Sequence, residues 1–413
     1  MAKLQERTAR LVKPADKKDR VEAIRLALIV MSVSTLALVL LGVLMVFSAT
    51  APSSIGSVDA DPTKQLFASA IRQAIWALIG IIGGVILAHF PHQKMRKLAL
   101  PIILLGLVLQ GMVLVTGGEG VGGNNNWLVL GPVSLQPSEF LKLAMIIWLA
   151  DKLARLPLKS IVEGKALVPP ALGFFCAIGL VLAGKDVGTA LIFSLIAVGM
   201  FWLTGMRIKY VIYALIGGSI GAGILVAMNP SRLTRVLDYF KNLLTLPDIH
   251  EPTQGDFAQF AFGSGGLWGV GLGAGKEKWR DLAEAHTDFI FAVIGEELGL
   301  FGVVTVVVLF LALGWSLVQL CVNNPNRYAQ LLTAGAGLWL CGQAFANMFV
   351  VTGLLPVFGV PLPFVSMGGS SMMASLFMLG CVAACAREVP GVRESLKIRS
   401  GIARDALAVI RRK

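Results

Sequence analysis

Long apolar blocks alternate with short polar stretches along this chain. Ten blocks have the length of membrane-crossing helices: roughly 24–49, 70–90, 98–116, 137–155, 166–183, 187–205, 209–228, 288–320, 328–352 and 366–386. The fourth is the weakest, because Glu139 and Lys142 interrupt it. Lys and Arg collect in both tails and in alternate loops, near Lys94 to Lys97, Lys152 to Lys165, Arg207 to Lys209 and Arg327. Short basic loops stay on the cytoplasmic side, so an even number of crossings with both basic tails inside is self-consistent. The expectation is an all-α polytopic membrane protein of about ten transmembrane helices with both termini cytoplasmic. A long extracytoplasmic loop, 229–287, joins the seventh and eighth crossings. The membrane domain is 24–386, flanked by cytoplasmic basic tails at 1–23 and 387–413.

Composition sharpens this picture. Of the 413 residues 56% are hydrophobic and 15% charged, with a mean hydropathy of +0.76. A soluble domain cannot carry that much apolar surface. The net charge of +12 sits in tails and short loops, which fits anionic lipid headgroups and argues against nucleic acid. Cys176, Cys321, Cys341, Cys381 and Cys385 lie in or near apolar blocks, so neither a disulfide nor a thiolate metal site is expected. No cleavable signal peptide is evident. The glycine run from Gly263 to Gly275 lacks the strand–turn–helix setting of a nucleotide site. No nucleotide, haem or flavin is expected.

The candidate chemistry is a set of polar groups in apolar company. Asp288 stands where the long loop runs into the eighth block, and a carboxylate there is costly to keep ionised unless it pairs, binds an ion or moves protons. His286 lies two residues before it. Helical spacing would put Glu296 beneath Asp288, where it would raise the affinity of Asp288 for a proton or cation. Gln136-Pro137-Ser138-Glu139 reads as a helix start, and Glu139 and Lys142 share one face and can pair. Lys185 and Asp186 break two apolar runs, at a depth near that of Asp288; Asp186 caps the sixth crossing or lines a polar cleft. A proline-broken stretch, Pro356 to Pro363, leads into Ser370 and Ser371, and unwound backbone at a membrane boundary tends to line a cavity.

Several strings together resemble the SEDS family (shape, elongation, division and sporulation proteins). They are QPSEFLKL at 136–143, D-x-GTA at 186–190, GSGGLWGVGLG at 263–273, EAHTDFIFAVIGEELG at 284–299 and TGLLPVFGVPLPFVS-x-GGSS at 352–371. They cover most of the chain in the family's order. The basic N-terminal tail and the wording VVTGLLPVFGVPLPF favour the division-type branch, FtsW, over the elongation-type, RodA. The chain departs from the family pattern at Asn126, where many members have arginine, and at Gly184-Lys185-Asp186.

The resemblance implies a peptidoglycan glycosyltransferase that polymerises lipid II, an undecaprenyl-pyrophosphate-linked disaccharide-peptide, during cell division. Its place would be the outer face of the cytoplasmic (inner) membrane, at the division septum. It implies Asp288 as the essential acid and Glu139 with Lys142 as a functional charged pair. The expected partners are a class B penicillin-binding protein and other division proteins, with no nucleic acid. Asp288 would act as general base, and a divalent cation (Mg or Mn) or Lys142, Lys185, Arg232, Arg235 and Arg280 would balance the leaving pyrophosphate. The competing readings are a lipid II flippase or transporter and a non-catalytic division scaffold.

Overall fold

The computed structural model describes residues 17–52, 62–116, 126–131, 133–228, 233–234, 236–237, 239–240, 253–279, 282 and 284–396. A helix occupies each of the ten predicted segments. They are α1 (Lys17–Ala49), α2 (Pro62–Ala88), α3 (His92–Thr116), α4 (Pro137–Arg155), and, beyond the short α5 (Leu158–Glu163), α6 (Val168–Ala183), α7 (Val187–Leu203) and α8 (Ile208–Ala227). Inside the long loop lies α9 (Gln254–Gly265), followed by α10 (Ile290–Asn323), α11 (Arg327–Val351) and α12 (Gly369–Arg387). Six of these helices are long and apolar enough to cross a membrane: α1, α2 from Phe67, α3, α10, α11 and α12. α6, α7 and α8 are apolar but shorter by that measure.

The fold is not purely helical. β1 (Leu128–Leu130) and β2 (Val133–Leu135) pair antiparallel in a small hairpin just before α4. Its Gly131 turn takes φ +62, a left-handed backbone suited to a tight reversal.

The weakest predicted segment is the most enclosed. Nearly all of α4 is buried, Glu139 and Lys142 included, and α3, α6, α7, α11 and α12 pack around it. Its charges lowered its hydropathy, yet they point at protein rather than lipid. α10 packs along α1, and α12 along α2. In the second contact Gly380 meets Gly84 so closely that an added Cβ would lie 2.3 Å from the Gly84 carbonyl oxygen. Small residues that let backbones approach are how apolar helices associate without a hydrophobic driving force.

α10 begins at Ile290, not at residue 288, and breaks at Gly299 (φ 66, ψ −161). The break strands peptide groups in an apolar setting, and the glycine-rich loop takes them up. Val270 N–H donates to Glu296 O (3.0 Å) and Gly271 N–H to Glu297 O (3.1 Å). In return Leu300 N–H donates to Gly266 O (2.9 Å) and Phe301 N–H to Leu267 O (3.4 Å). Contact this close requires glycine: a Cβ on Gly269 would sit 2.1 Å from Glu297 O.

A buried ion pair fixes the same joint. Lys278 and Glu297 have 0% side-chain exposure and meet at 2.6 Å. Ser48 Oγ of α1 donates to Glu297, and Lys278 Nζ also donates to Ser48 Oγ (2.8 Å) and Ser48 O (3.2 Å). Gly273 N–H donates to Glu297 Oε2 (3.1 Å). Lys278→Met would leave the Glu297 carboxylate buried and unpaired, at a cost of about 3–5 kcal/mol. The double variant Lys278→Met/Glu297→Met should recover most of the loss. Thermal unfolding of the purified variants in detergent tests this; equal melting points for the single and double variants would refute it.

Candidate active site

Three segments converge on Asp288. The first is the turn ahead of α10. Glu284 adopts a left-handed backbone (φ 58), and its carbonyl accepts from Thr287 N–H and Phe289 N–H. Thr287 Oγ1 donates to the Glu284 carboxylate (2.6 Å). This tight reversal presents the half-buried Asp288 two residues before the helix starts.

The second segment is the start of α7. Asp186 caps the helix, accepting from Thr189 N–H (2.9 Å) and Thr189 Oγ1 (2.8 Å). Asn126 and Gln136 side-chain amides also donate to it, at 3.2 and 3.5 Å. The capping alternative read from the sequence holds, and the two amides enclose the buried Asp186 in a small polar cluster. Lys185 beside it is exposed, with a left-handed backbone (φ 61). A Cβ on Gly188 would lie 2.1 Å from Phe358 O, so α7 begins directly against the proline-broken stretch.

The third segment is that stretch itself. A Cβ on Gly359 would come within 3.5 Å of Asp288 Oδ2. Its free carbonyls are claimed by two amides one turn apart on α11. Asn347 Nδ2 donates to Val360 O (2.7 Å) and also to Asp288 O (2.8 Å). Gln343 Nε2 donates to Pro361 O (2.8 Å). Ser366 Oγ donates to Thr287 O (2.6 Å) and accepts from Leu362 N–H (2.8 Å), while Met367 N–H donates to His286 O (2.9 Å).

Lys142 and Glu139 reach this site indirectly. Lys142 Nζ donates to Glu139 Oε1 and to Gln343 Oε1, both at 2.8 Å, and lies 5.0 Å from the centre of the Trp339 ring. The pair is buried. It braces Gln343, which holds Pro361 and with it the loop beside Asp288. Lys142 is thereby removed from the cations available to a leaving pyrophosphate.

Other sequence candidates fall elsewhere. Glu296 does not lie beneath Asp288, because the helical face invoked for it does not extend back to residue 288. Its carboxylate accepts from Lys276 N–H (2.6 Å) and Glu277 N–H (3.3 Å), anchoring the glycine loop. Ser370 Oγ accepts from Gln136 N–H (2.9 Å), tying α12 to the start of α4, and Ser371 is buried next to it. Arg232, Arg235 and Arg280 lie outside the described residues. Gln343, Asn347 and Glu284 were missed as site residues. The signal was available for two of them: amides four residues apart inside an apolar block.

The electrostatics fit proton transfer. Burial first, then the carboxylates of Glu284 and Asp186, push the Asp288 carboxyl up to about 7. Burial lowers His286, against an opposing pull from Glu284, so its ring is neutral at neutral pH. Among the described residues no three His, Cys, Asp or Glu side chains converge to hold a metal ion.

The family model described as "Cell cycle protein", which groups FtsW, RodA and SpoVE, matches residues 28–390. The probable peptidoglycan glycosyltransferase FtsW of Mycobacterium tuberculosis is 34% identical over 362 residues, covering 86% of this chain and 67% of that protein. Stage V sporulation protein E of Bacillus subtilis is 33% identical, covering 84% of this chain and 93% of that protein. Among solved structures, a chain from a peptidoglycan synthase complex that coordinates polymerization and crosslinking superposes with a TM-score of 0.68 at 26% identity. It covers 87% of this chain and 98% of that one. The rod shape determining protein RodA of Thermus thermophilus gives 0.63 at 28% identity, covering 87% and 96%.

Asn347→Leu removes the donor shared by Asp288 O and Val360 O. Each orphaned buried carbonyl should cost about 1–3 kcal/mol. Thermal unfolding in detergent measures it; an unchanged midpoint would show that water or another donor replaces the amide.

Proposed function

The chain belongs to the FtsW, RodA and SpoVE family (the SEDS proteins), and we infer from it a multi-pass membrane enzyme, a peptidoglycan glycosyltransferase of the division type. Relatives that cover most of its length carry that activity in their names. Beyond this, we propose that all ten long helices cross the cytoplasmic membrane, with both termini inside and Asp288 at the outer face. Alternate basic loops and the even count support that topology. The short α6, α7 and α8 would cross where protein neighbours and polar caps, such as Asp186, complete the path.

The proposed substrate is lipid II, serving as both donor and acceptor. The observation that carries the mechanism is the Asp288 carboxyl, held beside Glu284 and Asp186 and raised to about 7. The acceptor's 4-hydroxyl attacks C1 of the donor sugar. The C1–oxygen bond to the pyrophosphate breaks, and undecaprenyl pyrophosphate departs with the bonding pair. Asp288 takes the hydroxyl proton as the new bond forms. A base with a pKa near the working pH combines the right protonation state with adequate proton affinity, worth roughly 10²–10⁴-fold in rate. We assign the leaving group's counter-charge to Lys185, which is exposed and next in sequence to Asp186. A divalent cation would bind mainly through substrate oxygens, with Asp288, Glu284 and Asp186 as the carboxylates of the site.

The proposed partner is a class B penicillin-binding protein that crosslinks the new strands, and the proposed place is the division septum. The likeness to a chain from a complex that coordinates polymerization and crosslinking supports the first of these.

Asp288→Asn should lower glycan polymerisation from purified lipid II by roughly 10²–10⁴-fold without loss of fold. In the wild type the active form is the carboxylate. The single-turnover rate should therefore be full above neutrality and fall as pH drops through about 7. A rate flat from pH 5 to 8 at saturating substrate would remove Asp288 as the base.

A further inference from the structure

The segment from Leu267 to Leu272 turns four large apolar residues outward. Leu267, Val270 and Leu272 are exposed, and Trp268 is 79% exposed. In a soluble loop these would be unpartnered. Here their depth is fixed, because the hydrogen-bonded splice ties residues 266–271 to residues 296–301 of α10.

That level is marked on α10 itself. Its outward apolar stripe runs from Leu300 and Phe301 through Val308 and Trp315 to Val322. At 1.5 Å per residue the stripe spans roughly 33 Å, the thickness of a bilayer's hydrocarbon core. The splice therefore lies where α10 passes from headgroups into hydrocarbon. Trp268 packs against Phe301, with ring centres 4.6 Å apart and planes tilted by 32°, extending the stripe sideways at its upper end. Tryptophan favours that boundary. The segment's backbone is also suited to it: besides the splice, Gly269 N–H donates to Gly265 O (2.8 Å) and Ala274 N–H to Gly271 O (3.1 Å). An apolar hollow of about 250 Å³, lined by Leu41, Leu298, Phe301, Gly302 and Thr305, opens beside it, with room for a short length of acyl chain.

We propose that residues 267–272 are a membrane anchor, seated among phospholipid headgroups and the first methylenes of their acyl chains, which sets the height of the Asp288 site above the hydrocarbon. The upper part of α10, Ile290 to Gly299, separates anchor from site by roughly 15 Å along the helix. A lipid-linked sugar must be met at a defined height above the bilayer, and the anchor supplies a reference within the same rigid helix. The occupant is lipid rather than a protein helix because the apolar tip is only six residues long and continues a lipid-thickness stripe without a break.

The test reads depth and not activity, so it stands or falls apart from the polymerisation reading. The wild-type chain is reconstituted in nanodiscs of phosphatidylethanolamine and phosphatidylglycerol containing a phospholipid with a diazirine near the top of one acyl chain. After photolysis, the peptide spanning Gly266 to Lys276 should carry adducts at a level comparable with peptides of α10. Absence of adducts there, with α10 labelled, overturns the proposal. A second arm uses Leu272→Cys, spin-labelled after the five native cysteines are replaced, with Val308→Cys as the reference. The ratio of relaxation by oxygen to relaxation by a water-soluble nickel chelate should be near one for the Leu272 label, between the high ratio of the Val308 label and the low ratio of a fully hydrated site. A ratio as low as that of a hydrated site would place the loop in water, and exclusion of both agents would place it under protein; either result overturns the anchor.

Discussion

A peptide group released from a helix among apolar side chains must find another partner, and this constraint organises the region around Gly299. α10 breaks at Gly299, and four peptide groups around the break are met by the backbone of residues 266–271. Once that splice is made, the rest follows. Glu296 and Glu297, at the lip of the break, become receptors for loop amides and for Lys278. Ser48 brings α1 into the same joint. The loop is thereby part of the helix bundle, and the turn that carries Asp288 is held between a fixed helix and a fixed loop.

The lower support of the site obeys the same rule by a different route. The proline-broken stretch cannot satisfy its own carbonyls, so α11 supplies Gln343 and Asn347 from one face. Gln343 in turn is oriented by the Lys142–Glu139 pair and by the Trp339 indole, which donates to it at 3.0 Å. A buried pair of opposite charges in the centre of the bundle thus acts at a distance from the reacting atoms. It sets the register of a loop whose glycine faces the Asp288 carboxylate.

Much of this was legible in the sequence. The helices follow from apolar blocks, and the Glu139–Lys142 pairing follows from helical spacing. Asp288 stands out because a carboxylate at such a boundary is costly. Three things were not legible, each for a reason. The late start of α10 at Ile290 is silent in a hydropathy pattern, so helical phase extended back to residue 288 puts Glu296 beneath Asp288 when it is not there; the Gly299 break is equally silent. The β1–β2 hairpin is only three residues a strand, too short for its alternation to register beside a loop of glycine and asparagine. The carboxylates that act on Asp288, Glu284 and Asp186, come from separate segments, and only the approach of α7 to Phe358 brings the second one near.

Lys185, Glu284 and Phe364 share a property that no other non-glycine described residue has: a left-handed backbone, with φ between 58 and 65. Each costs roughly 1–2 kcal/mol relative to a relaxed residue. One precedes Asp186, one opens the turn to Asp288, and one follows the proline-broken stretch whose Gly359 faces Asp288. The strained backbones are therefore not scattered through the described bundle but gathered in the three segments that meet around Asp288. Glycine at these points would relieve the strain. Side chains stand there instead, so the backbone around Asp288 is held against its own preference by the packing that surrounds it, and it is the first region to relax if that packing loosens.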